Sequence, residues 1–297
     1  MYYYNNWLQH SFDGVLNGFK KSPQSIMEIH LNPYIVQQLN LKTAFYHNAI
    51  MLEAYYTPPY DVCFSGGIDS EMIVRVNHEL GLRQHVYTFE FEDDLNIRDV
   101  TCAKRLCNDL GIKLNIIPFS VKKFIENDLD FYYQKTFIPK FAYLIRLKWI
   151  DYLDNTPVFG DGEPYYTKIN DKDWIYEIKE HEFSLGLWHQ QTGHKVIGEW
   201  YLFTAEIAMN YHRNNIMQQL TSNQIPGKTS SWSSRYSMYQ QYWPDVKHNI
   251  KLVGYEGKDK NPGYYPTCIQ LLNEKIFNKT SNQYFTFKPE QIKNFFV

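Results

Sequence analysis

Apolar positions in the first half of the chain follow two different spacings, which predict strands and helices in alternation. Short apolar runs indicate buried strands, and apolar residues three or four positions apart indicate helices. The predicted strands are 60–65, 85–91, 112–119 and 156–160. The predicted helices are 41–56, 71–80, 96–110 and two stretches near 121–127 and 138–153.

This alternation predicts the fold class. Strands that alternate with helices form parallel β-α-β units with right-handed crossovers, so we expect an α/β fold, a parallel sheet with helices on both faces. Ligands of such sheets bind at the carboxyl ends of the strands, near the point where strand order reverses. If strands 60–65 and 156–160 are neighbours, the loops that follow them face each other across one crevice.

The two ends of the chain are less regular. Residues 1–40 are rich in aromatic side chains and are interrupted by Pro23 and Pro33, so we expect a peripheral cap without chemistry. In the last part we expect a helical, aromatic-rich region that packs on the core. The predicted parts are a cap with its lead-in helix over 1–57, a core over 58–170, and a C-terminal region over 171–297.

The most informative stretch is the polar turn after the first core strand. It consists of Ser65, Gly66, Gly67, Ile68, Asp69 and Ser70. The glycines let the backbone turn sharply, and the loop amides and the helix N-terminus then converge on one spot that suits phosphate. Ser65 and Ser70 add hydroxyl donors, whereas Asp69 repels phosphate unless a cation such as Mg²⁺ lies between them. The plain alternative is a glycine turn that merely connects a strand to a helix.

Composition and charge exclude several classes of protein. The 297 residues are 44% hydrophobic and 21% charged, as in an ordinary globular protein. A net charge of −2 argues against general nucleic-acid binding, which depends on neutralising phosphates, although a local basic patch for one tRNA stays open. No apolar run reaches membrane-spanning length, and the first residues lack a signal-peptide pattern. We therefore expect a cytoplasmic protein with no membrane partner.

Cysteine and histidine positions do not indicate a metal site. The four cysteines form no Cys-x-x-Cys pair, and Cys102 and Cys107 lie about 140° apart around a predicted helix. The histidines of the C-terminal part are irregularly spaced, which favours surface positions or satisfied core positions over a ligand set. They are His181, His189, His194 and His212.

The glycine loop resembles the Ser-Gly-Gly-x-Asp-Ser loop of the PP-loop ATP pyrophosphatases, the adenine nucleotide alpha hydrolase-like superfamily. It is not a Walker A loop, because no Gly-Lys-Ser/Thr follows the glycines. Enzymes of this superfamily cleave ATP between the α- and β-phosphates and hold the leaving pyrophosphate in this loop. The resemblance implies a PP-loop/HUP-like, Rossmann-like fold. It also implies that residues 65–70 bind ATP and pyrophosphate, with Asp69 as a ligand of Mg²⁺.

Residues 41–166 look most like the synthetase domain of asparagine synthetases. A strand that ends in an aromatic-acidic turn, here 88–94, and a second glycine-rich acidic motif, here 159–165, carry this likeness. The likeness implies that Phe89, Glu90 and Gly160 contact the nucleotide, and that Asp161 is both a catalytic carboxylate and a second metal ligand. The sequence departs from the family where Pro164 and Tyr165 replace an Asp-Glu pair. The alternative is that Asp161 and Glu163 only cap a turn.

A polar stretch at 226–235 is a second candidate for chemistry. It is either a plain loop or a lid from which Lys228 or Arg235 reaches the α-phosphate, where a cation stabilises developing charge. Asparagine synthetases use a lysine from their C-terminal half, so the resemblance implies a catalytic role for Lys228. The aromatic residues that follow indicate core packing more than a stacking surface. They are Trp232, Tyr236, Tyr239, Tyr242 and Trp243.

Three functions remain open from the sequence. The first is a ligase that adenylates a carboxylate or carbonyl oxygen and lets an amine or ammonia displace AMP. Residue 2 is tyrosine where the family's glutaminase domain has its cysteine nucleophile, and no such domain is recognised in this sequence. We therefore expect the nitrogen to come from free ammonia, an amine substrate or a partner protein. The second is a nucleobase- or tRNA-modifying enzyme of the deazapurine nitrile synthase or thiolase type. The third is a non-catalytic nucleotide-binding protein.

Overall fold

The computed structural model describes seven stretches of the chain. They are residues 7–32, 37–138, 141–162, 165–168, 174–213, 232–247 and 284–287. Within these stretches the chain forms a parallel sheet flanked by helices and two smaller antiparallel sheets. The predicted α/β fold class is confirmed.

The N-terminal part is an antiparallel sheet, a structure that the sequence analysis did not predict. Strands β1 (Leu8–Phe12), β2 (Val15–Leu16) and β3 (Met27–Leu31) pair in the order β2-β1-β3. The inward face of β1 carries His10 between apolar residues, and this polar side chain hides the alternation that marks a half-buried strand. A buried ion pair of 2.5 Å between Lys20 and Glu180 ties this sheet to the C-terminal part of the chain.

The central sheet follows from its sequence pattern. Helix α1 (Leu41–Glu53) leads into β4 (Tyr60–Cys63), which is followed by α2 (Ile68–Glu79), β5 (Gln84–Phe91), α3 (Ile97–Leu110) and β6 (Leu114–Phe119). The chain then forms α4 (Val121–Lys123), a π-helical turn (Phe124–Asp128), α5 (Leu129–Thr136), α6 (Phe141–Ile150) and β7 (Thr156–Val158). The strand order is β6-β5-β4-β7 and every pair is parallel, as predicted.

The two faces of the central sheet bury separate apolar clusters. Val62 of β4 packs in one cluster with α1 and α2, and the next residue, Cys63, packs in the other with α5, α6 and α7 (Ser184–Thr192). Successive strand residues point to opposite faces, so helices on both faces are the reason that the strands are apolar throughout. The prediction of two covered faces is confirmed.

The remaining elements belong to the C-terminal part. Strands β8 (Tyr165–Lys168), β9 (Trp174–Lys179) and β10 (Tyr284–Phe287) form an antiparallel sheet, and 3₁₀ turns lie at Glu180–Phe183 and Trp200–Leu202. Helices α8 (Ala205–Arg213) and α9 (Trp232–Gln240) follow. Tyr236, Tyr239 and Trp243 are buried in the cluster that also holds α1 and α2, which confirms core packing for these aromatic residues. The three-part division at 57 and 170 stays a prediction.

None of the helices in the described stretches is both long enough and apolar enough to cross a lipid bilayer.

The ring of Phe45 supports a stability prediction. Phe45 of α1 is fully buried against Trp200, Tyr201, Tyr239 and Trp243, so it joins the lead-in helix to the C-terminal aromatic residues. We expect Phe45→Ala to lower the free energy of unfolding by about 3–5 kcal/mol, because it leaves a cavity among rigid rings.

The matched control is Ile50→Ala on the same helix, since the Ile50 side chain is 53% exposed. We expect this change to cost no more than about 0.5 kcal/mol in denaturant unfolding. Equal losses for the two variants would contradict the packing described for Phe45.

His10 supports a prediction about pH. Burial lowers the pKa of His10 to about 4 from its ordinary 6.5. Between these two values the unfolded chain binds a proton that the folded chain does not, so His10 favours folding above pH 6.5 and this contribution is lost as the pH falls towards 4. His10→Gln should remove up to about 1.4 kcal/mol per pH unit from the slope of unfolding free energy against pH in that window. Urea titrations at several pH values measure this slope, and an unchanged slope in the variant would refute the assignment.

Candidate functional site

The glycine loop lies where the sequence predicts it, between the end of β4 and the first turn of α2. Gly66 has a φ of +70°, and a Cβ atom at this position would collide with the backbone carbonyl of Asp99 at the start of α3. Glycine is therefore required here for two reasons, the left-handed backbone and the close approach of another chain segment.

Hydroxyl groups define the shape of the loop. The Ser65 amide donates a hydrogen bond of 3.2 Å to Ser70 Oγ, and the Ser70 hydroxyl donates one of 3.1 Å to the Gly67 carbonyl. The two serine hydroxyls lie 3.2 Å apart. Ser70 thus closes the loop onto the N-terminus of α2, with Ile68 buried beneath it. This is the arrangement in which helix amides suit an anion.

The second glycine-rich motif packs directly against the first. Strand β7 pairs with β4, and a Cβ atom on Gly160 would lie 2.8 Å from the Ser70 amide nitrogen and 3.0 Å from the Asp69 carbonyl carbon. The two loops therefore meet at one edge of the sheet, as expected for neighbouring strands. Asp161 follows Gly160, is only 4% exposed, and forms an ion pair with Arg146 of α6.

The carboxylate of Asp69 is bound by an arginine from the far end of the chain. Both carboxylate oxygens accept a hydrogen bond of 2.8 Å from Nη1 of Arg235, which lies on α9 and is 1% exposed. The backbone carbonyl of Asp69 accepts a hydrogen bond of 2.8 Å from the Tyr201 hydroxyl. The acidic residue of the loop is thus held through its side chain and its backbone.

The aromatic-acidic stretch begins in the last residues of β5. Phe89 is buried and stacks on Trp149 at 4.4 Å between ring centroids, and Glu90 Oε1 lies 3.7 Å from Lys104 Nζ. Asn96 holds the turn by bonding the backbone of Phe89 and Phe91. A nucleotide contact by Phe89 or Glu90 stays a prediction.

The two predicted metal ligands, Asp69 and Asp161, do not form a ready Mg²⁺ site. Each carboxylate is ion-paired with an arginine, which neutralises the charge that would attract a metal ion. Among the described residues, no cluster of three histidine, cysteine or acidic side chains could hold a metal. The residues as arranged do not fit a resident Mg²⁺. An ion that accompanies ATP is a separate matter, because it arrives as part of the substrate.

Two of the described cysteines have the environment of structural residues. Burial raises the pKa of the Cys63 thiol well above its usual value, and burial also raises that of Cys107 to about 11. Both thiols are therefore protonated at neutral pH and are poor nucleophiles. Lys228, Glu163 and Cys268 lie outside the described residues, and the role expected for Lys228 stays a prediction.

Sequence reasoning missed Arg146 and Tyr201. Arg146 lies within the apolar run of α6, and a cation in such a run is a usable signal for a buried partner. Tyr201 lies in an aromatic segment that follows Ile197, whose carbonyl accepts from the Phe159 amide and whose amide donates to the Pro157 carbonyl of β7. No local pattern distinguishes Tyr201 from its aromatic neighbours, because its role depends on a contact across 132 positions.

One comparison with known proteins supports the resemblance of the core to the PP-loop proteins. The family model described as "Queuosine biosynthesis protein QueC" matches residues 61–140, which include the glycine loop, α2, β5, α3 and β6. This match agrees with the resemblance of the glycine loop to the PP-loop proteins. No curated protein matches the chain. The closer likeness to asparagine synthetases stays a prediction.

Solved structures show only distant likeness. NMN synthetase from Francisella tularensis is 10% identical with a TM-score of 0.35, covering 86% of this chain and 90% of its own. The NH3-dependent NAD synthetase from Campylobacter jejuni is 12% identical with a TM-score of 0.30, covering 80% and 93%. The glutamine-dependent NAD+ synthetase from Acinetobacter baumannii is 12% identical with a TM-score of 0.30, and the match spans 87% of this chain and 51% of that protein. Because these TM-scores are low, the three structures give no information about the PP-loop site of this protein.

The contact of Gly160 with α2 yields a prediction about nucleotide binding. In Gly160→Ala the new methyl group must displace the backbone of Asp69 and Ser70, which lies at 2.8–3.0 Å. We expect ATP affinity to fall roughly tenfold or more, because small displacements of positioning groups are costly. Isothermal titration with ATP measures the loss.

Gly111→Ala is the control for Gly160→Ala. Gly111 has a φ of +66° and open space around its Cβ position, so alanine there costs about 1–2 kcal/mol of backbone strain without touching the loop. We expect lower stability and unchanged ATP affinity. Equal affinity in the two variants would show that the contact between β7 and α2 does not shape the site.

Proposed function

We propose that this protein is an ATP-dependent, AMP-forming carbon–nitrogen ligase. It adenylates a carboxylate or carbonyl oxygen of a small molecule, releases pyrophosphate, and lets an amine or ammonia displace AMP. The observation that carries this proposal is the packing of Gly160 onto the first turn of α2, which brings the glycine loop and Asp161 to one edge of the sheet. A loop that only connected a strand to a helix would not need a second glycine-rich motif against it.

The loop supplies the binding energy for the phosphates. Backbone amides of residues 66–68 and the Ser65 hydroxyl are the donors, and the Ser70 hydroxyl joins them if it turns away from the Gly67 carbonyl. Hydrogen bonds to charged groups contribute about 1.5–3 kcal/mol each. These donors are already ordered by the Ser65–Ser70 contacts, so they need little reorganisation as charge moves onto the pyrophosphate leaving group. Mg²⁺ enters in this proposal as part of the ATP complex.

Asp161 is the proposed catalytic carboxylate. It lies at the end of the β7 segment, is buried, and is paired with Arg146, which favours its ionised form. In that state it can orient an incoming amine or ammonia, or accept its proton, beside the activated substrate. Lys228 remains the proposed cation for the α-phosphate. A separate ammonia-supplying partner remains part of the proposal.

A nucleobase substrate is an alternative that is compatible with the comparisons. The family model that matches residues 61–140 is that of a queuosine biosynthesis protein, so a modified base whose carboxylate or carbonyl oxygen is adenylated fits the same chemistry. The sulfur-transferring variant of this alternative has less support, because the buried thiols of Cys63 and Cys107 are protonated at neutral pH. A non-catalytic protein is the third alternative, and the arginine pairing of Asp69 and Asp161 favours it.

The products of ATP turnover test the proposal. The full chain is incubated with magnesium, ATP labelled at the α-phosphate, ammonium and a mixture of carboxylates and nucleobases, and the products are separated by chromatography and mass spectrometry. We expect AMP, pyrophosphate and a substrate that has gained nitrogen. ADP and phosphate, or no substrate-dependent cleavage, would overturn the proposal.

The Asp161→Asn variant tests the enzyme against the non-catalytic alternative. Asparagine keeps an oxygen acceptor for Arg146, so the fold should survive, as melting temperature can confirm. We expect turnover to fall by roughly a hundredfold or more while ATP affinity changes little, since the loop makes most nucleotide contacts. Turnover equal to that of the unaltered protein would remove Asp161 from the mechanism.

A further inference from the structure

The counter-charge of the glycine loop comes from helix α9. Asp69 is the acidic residue of the loop, and its carboxylate would repel any phosphate held by the loop amides. In the structure Nη1 of Arg235 lies 2.8 Å from both Asp69 oxygens. The guanidinium is 1% exposed and the Asp69 side chain 14%, so the two charges neutralise each other in a largely dry environment.

Arginine is the residue suited to this position. Its guanidinium is charged at every accessible pH, carries less hydration than an ammonium group, and presents several donors in one rigid plane. A lysine or a histidine at 235 would lose one of these properties when buried. The pair therefore keeps its net charge of zero across the pH range in which Asp69 is ionised.

A chain of tyrosine hydroxyls supports the same residue from its backbone side. Tyr201 donates to the Asp69 carbonyl at 2.8 Å, the Tyr239 hydroxyl lies 3.5 Å from that of Tyr201, and the Tyr211 hydroxyl contacts that of Tyr239. Burial raises the pKa values of Tyr211 and Tyr239 well above 10, so both remain neutral donors. The tyrosines of α8 and α9 thus support Tyr201, and Tyr201 bonds the backbone of the first turn of α2.

We propose that Arg235 is the protein's own counter-cation for the nucleotide loop and a positioning residue for Asp69. Through this pair the loop accepts phosphate without requiring a metal ion on Asp69, and α9 becomes part of the nucleotide site. The inference rests on the proposed function only in taking residues 65–70 as the phosphate-binding loop. It replaces the predicted role of Asp69 as a metal ligand.

Arg75 provides a matched control within the same pair of elements. It lies on α2, is 6% exposed, and bonds Glu71 and Asp245 at 2.8 Å each. It therefore links α2 to the segment after α9, as Arg235 links α2 to α9, although its partner Asp245 is exposed and neither partner is a loop residue. Arg75→Gln should lower stability without changing phosphate affinity.

The test is the affinity of the full chain for inorganic pyrophosphate, measured by isothermal titration with and without Mg²⁺. Four proteins vary the net charge of the pair formed by residues 69 and 235. This charge is zero in the unaltered chain and in the double variant Asp69→Asn/Arg235→Gln. It is −1 in Arg235→Gln and +1 in Asp69→Asn. In the absence of Mg²⁺ we expect Arg235→Gln to bind roughly tenfold more weakly than the unaltered chain, and Asp69→Asn more tightly. The double variant should return to within about threefold of the unaltered chain.

Mg²⁺ should restore most of the affinity of Arg235→Gln, because the ion takes over the neutralisation of Asp69. A merely structural role for Arg235 predicts instead that Arg235→Gln and the double variant lose affinity together, with no gain in Asp69→Asn. That result would overturn the inference.

The outcomes also separate the inference from the proposed function. If the unaltered chain binds neither pyrophosphate nor ATP, the phosphate-binding loop and this inference both fail. If it binds them and the affinity does not follow the charge of the pair, only the inference fails. If Arg235→Gln does not fold, Asp69→Asn is compared with the neutral double variant. Tighter binding of pyrophosphate by Asp69→Asn without Mg²⁺ supports the inference, and equal binding refutes it.

Discussion

The close contact between Gly160 and the first turn of α2 is the constraint on which the candidate site depends. It exists because β7 pairs with β4 in parallel, so the loops that follow the two strands leave the sheet at the same edge. A side chain at Gly160 would push Ser70 and Asp69 away from the sheet. The glycine loop, the buried Asp161 and the arginines that pair with both acidic residues are all arranged around this contact.

The sheet could be predicted from sequence because its pattern is local. Parallel strands covered on both faces appear as short apolar runs, and glycines at 66, 81 and 111 mark the turns between elements. The glycine loop could be found for the same reason, since all six positions are adjacent. Strand β1 of the N-terminal sheet could not, because its inner face carries the buried His10, whose charge is suppressed only by the folded environment. Strand β3 alternates apolar and polar residues from Met27 to Leu31, so its pattern was available in the sequence.

The partners of the acidic residues were beyond sequence reasoning. Arg235 meets Asp69 across 166 positions and Arg146 meets Asp161 across 15, and neither spacing follows from a helical or strand period. From the sequence, Arg235 lies in a stretch that could reach the phosphates, and Asp69 is a predicted metal ligand. That Arg235 lies within 3 Å of the Asp69 carboxylate is a property of the tertiary structure.

Hydrogen exchange of the backbone amides on adding ATP and magnesium tests the central claim most directly, namely that residues 65–70 form the phosphate-binding loop. Bound phosphate oxygens occupy the amides of the loop and of the first turn of α2, so exchange there should slow markedly while exposed amides of the N-terminal hairpin are unchanged. Protection confined to another part of the chain, with the 65–70 amides exchanging as before, would contradict the account.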